Sequence, residues 1–217
     1  MGERRTGRSR DGDSEHAIRE AAFRALVTHG YAECSIAAIG AEFAGSPSLI
    51  YHYFDSKDDL LLSTLEVFTE TFIESIIDRP IDDPDRDLGA LIEGLIEPRV
   101  SNEDQLAGSL SVDSATASAR IYVELWAQAI WQDDYRERVT AVDERLVGTI
   151  AETLEAGVER GQYQPMDVDV TAEHLFSLVR SLQHVRATTD RVEAVDRLRS
   201  AIQQLLDDRR ADAAPVG

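Results

Sequence analysis

The sequence predicts an all-α protein. Apolar residues recur at i, i+3 and i+4 along most of the chain, while the alternation of apolar and polar residues that marks a strand is almost absent. Residues that begin and end helices interrupt this pattern, among them Gly30, the pair Ser46-Pro47, and Gly161. We therefore expect about nine helices, arranged as an N-terminal three-helix domain followed by a larger helical bundle.

The first three predicted helices are short and closely spaced. The first ends before Gly30, because glycine readily takes the left-handed conformation at a helix C-terminus. Ser35 is placed to cap the second helix. Ser46 precedes Pro47, a residue that needs no amide hydrogen bond at the first position of the third helix. The predicted bounds of these helices are 14–29, 36–43 and 46–53.

In the rest of the chain the spacing of apolar residues predicts longer helices. The pattern Ser56-x-x-Asp59 is a capping box that opens the fourth helix. Residues 98–113 give no clear pattern. The predicted bounds of the fourth to ninth helices are 57–78, 85–97, 114–131, 133–161, 169–188 and 191–209. In terms of domains, we expect a disordered basic arm at 1–13, a first domain at 14–56, a second at 57–209 and a tail at 210–217.

The charge is large and unevenly distributed. Lys and Arg number 22, Asp and Glu number 41, and the net charge is −19, with Lys57 as the only lysine. Residues 1–57 carry a net charge of −1 and residues 58–217 a net charge of −18, so only the head is expected to tolerate nucleic acid. An acidic chain almost without lysine is similar in composition to haloarchaeal proteins; an ordinary acidic mesophilic protein is the alternative.

Several classes of protein are excluded or disfavoured. The one cysteine, Cys34, cannot form a disulfide within the chain or supply a zinc finger or a haem-attachment motif. No apolar run reaches the about 18 residues of a membrane span, and no signal peptide is visible, so we expect a soluble cytoplasmic protein without membrane contact. His174 and His184 lie about 15 Å apart along one helix and cannot share a metal. No catalytic pattern appears, so we expect no enzyme, no metal site and no cofactor.

Three short helices in this order are typical of a helix-turn-helix domain, whose third helix enters the major groove. The run from Ser35 to Gly40, followed by Tyr51-His52-Tyr53-Phe54-Asp55-Ser56-Lys57, resembles the TetR (tetracycline-repressor) family. Weaker similarity continues at Tyr122-Val123-Glu124-Leu125-Trp126-Ala127 and at Glu159-Arg160-Gly161-Gln162-Tyr163. The turn departs from the family pattern, because its glycine, Gly45, stands one place late.

The resemblance and the positions in the motif together suggest DNA contacts. A tyrosine hydroxyl, a lysine ammonium and a serine at a helix N-terminus are suited to bind phosphates. The candidates for phosphate contact are Tyr51, Lys57 and Ser35. The candidates for reading bases from the third helix are Ser46, Pro47, Ser48 and His52. For Tyr53 and Phe54 core packing is the preferred interpretation, and Arg4, Arg5, Arg8 and Arg10 are either a DNA-following arm or a disordered tail.

In the second domain the resemblance implies an effector pocket and a dimer interface. Aromatic residues with polar tips suit such a pocket, although simple core packing is the alternative for each of them. The pocket candidates are Leu65, Phe68, Phe72, Tyr122, Trp126 and Phe176. The dimer candidates, from the apolar faces of the last two helices, are Leu175, Val179, Leu182, Val195, Leu198, Ile202 and Leu205.

The function favoured by the sequence is that of a DNA-binding transcriptional regulator. In this interpretation a homodimer binds a palindromic double-stranded DNA operator and responds, as a repressor, to an unknown small-molecule effector. The alternative is a helical architectural or protein-interaction module with unspecific DNA binding.

Overall fold

The computed structural model describes residues 6–43, 46–76, 80–97 and 113–211. Over these ranges the chain forms nine helices, and its only extended pairing is a single antiparallel bridge between Tyr163 and Arg210. The helices are α1 Thr6–Glu33, α2 Ile36–Phe43, α3 Pro47–Tyr53, α4 Lys57–Ile76, α5 Pro84–Ile96, α6 Ser114–Gln128, α7 Asp133–Glu159, α8 Val168–Thr188 and α9 Val192–Asp207. The predicted fold class is confirmed. None of the described helices combines the length and apolarity that crossing a membrane requires.

Helix α1 is longer than predicted. It begins at Thr6, so residues 6–13 are helical and the expectation of disorder there is wrong; residues 1–5 lie outside the described ranges. No proline interrupts residues 6–29, and extending an existing helix by one residue is much easier than nucleating a new one. Gly30 has φ 71° and interrupts the helix, as its residue type predicted, before one further turn.

The described residues divide into two compact units, one up to Thr71 and one from Phe72 onward. The division falls within α4 rather than at the 56/57 boundary that we expected. In the first unit α1 packs on α2 and α2 on α3. Its core is formed by apolar residues of all four helices and of the turn after α3. The main members are Ile18, Ala22, Leu26, Ile39, Ile50, Phe54, Leu60 and Leu61.

The core of the second unit is built around α8, which contacts α5, α6, α7 and α9. Apolar side chains of α5, α7, α8 and α9 form one cluster there. Its larger members include Leu88, Ile92, Ile96, Leu146, Ile150, Leu154, Leu175, Phe176, Leu182 and Leu206.

This core includes the residues that we predicted to form a dimer interface. Four of them are buried inside the single chain and are not available to a second copy, so the prediction is wrong for Leu175, Val179, Leu182 and Ile202. Three others are partly buried against the same core, namely Val195, Leu198 and Leu205. An apolar helix face can be covered by the same chain or by a partner, and here helices of the same chain cover it.

The segment after α7 is held against α5. The ring of Tyr163 lies over Gly157, and its hydroxyl donates a hydrogen bond to Asp85 Oδ1 at 3.0 Å. Arg210 Nε donates to the same carboxylate oxygen at 2.8 Å. These contacts join the start of α5, the end of α7 and the residues after α9.

Candidate nucleic-acid interface and effector cluster

Helix α3 presents one apolar residue to the core and four residues to solvent. Ile50 is buried, whereas Pro47, Ser48, Tyr51 and His52 are exposed. Tyr51 keeps 59% of its surface accessible despite its large aromatic ring. Because residues four apart lie on the same face of a helix, these four side chains share one surface. A short helix with this surface can reach base edges and phosphates.

The two predicted serine caps differ in structure. Ser35 Oγ accepts a hydrogen bond from the amide of Ala38 at 3.2 Å, which confirms its predicted role as the cap of α2. Ser46 stands at the N-cap position of α3 with φ −83° and ψ 144°, but its side chain makes no capping hydrogen bond. The exposed Ser46 hydroxyl is therefore not used to cap its own helix.

Lys57 is tied to the end of α1. Its Nζ donates a hydrogen bond to the backbone oxygen of Tyr31 at 3.1 Å and lies 4.1 Å from the centroid of the Tyr31 ring. The Tyr31 hydroxyl in turn donates to Asp58 Oδ1 at 2.6 Å. Lys57 is half-buried by these contacts, so it fixes the junction of α1 and α4, and phosphate contact remains a prediction for it.

The aromatic residues at the end of α3, both expected to pack in the core, differ in burial. Phe54 is buried, and the guanidinium of Arg19 lies 5.5 Å from its ring centroid. Tyr53 is half-buried and makes an edge contact with the His52 ring at 5.0 Å. Packing against the head therefore accounts for Phe54 fully and for Tyr53 in part.

Two of the predicted pocket residues form an aromatic pair on α6. The rings of Tyr122 and Trp126 stack with centroids 4.0 Å apart and planes 27° apart. Within the described part of the chain, Tyr122 Oη is shielded from solvent and has no hydrogen-bond partner, and Trp126 Nε1 is shielded from solvent as well. Phe176, also predicted for the pocket, lies in the core of the same unit. The side chains of Leu65, Phe68 and Phe72 lie outside the described residues.

A half-buried carboxylate lies beside this pair. Asp143 Oδ2 accepts a hydrogen bond from Arg180 Nη1 at 2.6 Å, while Asp143 Oδ1 is shielded from solvent and, among the described residues, unpartnered. Burial raises the pKa of Asp143, and the Arg180 charge and the Trp126 indole, a weak hydrogen-bond donor to this carboxylate, offset the rise only in part. Burial also raises the pKa of the Tyr122 phenol. Unpaired buried donors and acceptors are costly, so this cluster is a candidate ligand site.

The sequence analysis identified neither Asp143 and Arg180 nor Tyr31. Asp143 stands next to Glu144 and Arg145 in a charged stretch that is typical of a solvated helix face. Only the packing of α6, α7 and α8 turns its side chain inward. Tyr31 follows the helix stop at Gly30, and its contact with Lys57 spans 26 positions, so no local pattern signals it.

Comparisons with known proteins match both units. The profile of bacterial regulatory proteins of the tetR family matches residues 18–64, and that of the C-terminal domain of BetI-type transcriptional repressors matches residues 103–211. The HTH-type transcriptional regulator BetI of Brucella melitensis biotype 2 is 25% identical over 148 residues, which are 66% of this chain and 67% of that protein.

Two solved structures illustrate the similarity of the fold. A TetR transcription regulator from Haloarcula marismortui has a TM-score of 0.76 at 24% identity, covering 92% of this chain and 99% of that one. A transcriptional regulator from Saccharomonospora viridis, solved in complex with choline, has a TM-score of 0.78 at 21% identity, covering 93% of this chain and 100% of that one.

A helix-turn-helix head with an exposed third helix, followed by a second helical unit, defines a DNA-binding transcriptional regulator. The chain belongs to the TetR family of transcriptional regulators, and its C-terminal half is of the BetI repressor type. The resemblance seen in the sequence is thereby confirmed. The relatives that it matches are transcriptional regulators.

Proposed function

We propose that this protein is a repressor that binds a palindromic operator as a homodimer in the cytoplasm and releases it when a small organic cation binds the second unit. The observation that carries the proposal is the surface of α3, where Pro47, Ser48, Tyr51 and His52 are exposed and only Ile50 is buried. One such surface reads a half-site, and two related by a twofold axis read a palindrome.

The outward face of α8 is the surface that we propose for the second copy. Opposite its buried residues α8 exposes a row of serines and histidines, formed by His174, Ser177, Ser181 and His184, with Glu173 and Arg180 exposed beside it. A row of this kind favours self-association in a chain of net charge −19. On α7, Gly148 lies opposite the buried Leu146 and Ile150, and a Cβ there would meet nothing within 4 Å. Packing within the chain therefore does not require a glycine at position 148. A partner helix that approaches closely would require one, because glycine has no side chain.

The effector class follows from the cluster beside α6. Tyr122 and Trp126 offer stacked aromatic surface, and Asp143 offers a carboxylate oxygen without a partner among the described residues. Aromatic faces and a buried carboxylate are the groups that bind organic ammonium ions. The choline complex of the Saccharomonospora viridis regulator supports the same ligand class. By linkage, the operator must weaken effector binding by the same factor as the effector weakens operator binding.

The operator test begins with a genome-wide map of binding sites of the tagged protein. A labelled fragment of one site is then titrated in parallel with a shuffled sequence of equal length. We expect specific binding at least about 10³-fold tighter than unspecific binding, and release of the fragment on addition of choline. Equal affinity for both fragments would support an unspecific architectural protein instead and refute the proposal.

The dimer test compares two exposed serines. Ser181→Glu places a charge in the proposed interface, whereas the matched variant Ser200→Glu places the same charge on α9. We expect sedimentation velocity to detect monomers for Ser181→Glu only, with a parallel loss of operator binding. If only Ser200→Glu dissociates the dimer, the interface lies on α9 and not on α8.

A further inference from the structure

Arg180 makes contacts of the same kind as those that a cationic effector of the second unit would make. Its Nη1 donates to Asp143 Oδ2 at 2.6 Å, and its Cζ lies 5.7 Å from the centroid of the Phe176 ring. An ion pair with a carboxylate and the face of an aromatic ring are together the interactions that bind an organic ammonium ion. The chain thus supplies a cation of its own to the cluster.

The two members of this ion pair differ in exposure. The Arg180 side chain keeps 43% of its surface accessible, and the Asp143 side chain keeps 20%. The guanidinium can therefore move into water at small cost, whereas Asp143 without a partner would be a largely buried, uncompensated charge. Glu173, another carboxylate acting on Asp143, adds to the negative potential. Departure of Arg180 is favourable only when another cation takes its place.

We infer that Arg180 is an internal competitor of the effector: a ligand cation that binds beside Tyr122 and Trp126 at the open Oδ1 of Asp143 must compete with the guanidinium held on Oδ2 for the charge of the same carboxylate. This inference rests on the proposed cationic effector and adds the regulation of its site. The apparent affinity is the average over molecules with and without the ion pair, so it falls as the fraction of molecules with Arg180 on Asp143 rises. The ion pair therefore sets the effector concentration at which the regulator responds.

The test measures choline binding through Trp126 fluorescence. The other tryptophan, Trp131, is 85% exposed, so Trp131→Phe provides a background in which Trp126 is the only reporter. In this background Arg180→Met, which keeps the length of the side chain and removes its charge, is expected to bind choline about tenfold tighter or more, corresponding to about 1.4 kcal/mol. Arg180→Lys keeps the charge and is expected to stay within about threefold of the parent.

Three controls define the site. Arg197→Met removes an arginine from the exposed pair with Glu193 and is expected to leave choline affinity unchanged. Asp143→Asn is expected to abolish the gain when combined with Arg180→Met. The uncharged isostere 3,3-dimethylbutanol is expected to bind Arg180→Met and the parent equally, because it does not compete for the carboxylate. Circular dichroism and thermal melting establish that each variant is folded.

Choline affinity that is unchanged or weaker in folded Arg180→Met overturns the inference, because Arg180 is then neutral or part of the binding site. Tight binding that survives Asp143→Asn overturns it as well. Absence of choline binding in all variants overturns both the inference and the cationic effector. Operator specificity, measured separately, decides whether the DNA-binding part of the proposed function stands.

Discussion

Gly157→Ala tests how tightly the second unit is packed at the end of α7. An ideal Cβ at position 157 would lie 2.3 Å and 2.5 Å from two ring carbons of Tyr163, whereas carbon atoms pack at about 3.5–4.0 Å. The buried ring must therefore move by more than about 1 Å, and its hydrogen bond to Asp85 is lost. Overpacking costs about 1–3 kcal/mol, and a hydrogen bond of this kind contributes about 1 kcal/mol. Alanine gains about 1 kcal/mol over glycine within a helix, so we expect a net destabilisation of about 1–3 kcal/mol.

The matched control is Gly89→Ala in α5, where a Cβ meets nothing within 4 Å. Only the gain in helix propensity applies there, so we expect a stabilisation of about 1 kcal/mol. Urea unfolding at fixed KCl, followed by circular dichroism, measures both variants. In a Tyr163→Ala background the clash is absent, so Gly157→Ala should become stabilising. A Gly157→Ala protein as stable as the parent would refute the reasoning.

Three further outcomes are expected. Tyr51→Phe removes only an exposed hydroxyl and should weaken binding to operator and shuffled DNA by the same factor, about tenfold per head for a bond to phosphate. Ser48→Ala should instead change the relative affinities for operator variants. Titrations of each variant on operator and on shuffled DNA distinguish these two outcomes. Operator affinity should be flat or rise from about 0.2 M to about 3 M KCl, because screening relieves the repulsion of the acidic second unit and cations bridge carboxylates to phosphates; a steep fall with the protein folded throughout would contradict the halophilic interpretation. Choline affinity should fall as the pH is lowered through the raised pKa of Asp143, because protonation removes the charge that attracts the cation. Choline titrations of Asp143→Asn at the same pH values should show no such dependence.

Local sequence patterns determined the helices of this protein. Gly30 and Gly161, both with φ 71°, interrupt or end helices where their residue type predicts. Ser35 caps α2, and Ser56 accepts from the amide of Asp59 at the start of α4. Helix caps and stops involve residues within four positions of each other, so the local sequence is enough to place the ends of these helices. The same holds for α3, whose short motif fixes which residues are exposed.

Tertiary structure alone decided what covers the apolar faces and which polar residues turn inward. Leu175 and Ile202 were predicted for a partner and are buried by the same chain, because hydrophobic burial is non-directional and periodicity does not name the covering surface. Arg180 meets Asp143 across 37 positions, and Lys57 meets Tyr31 across 26. Whether such a charge is solvated or paired depends on how distant helices pack, and no spacing along the chain records that.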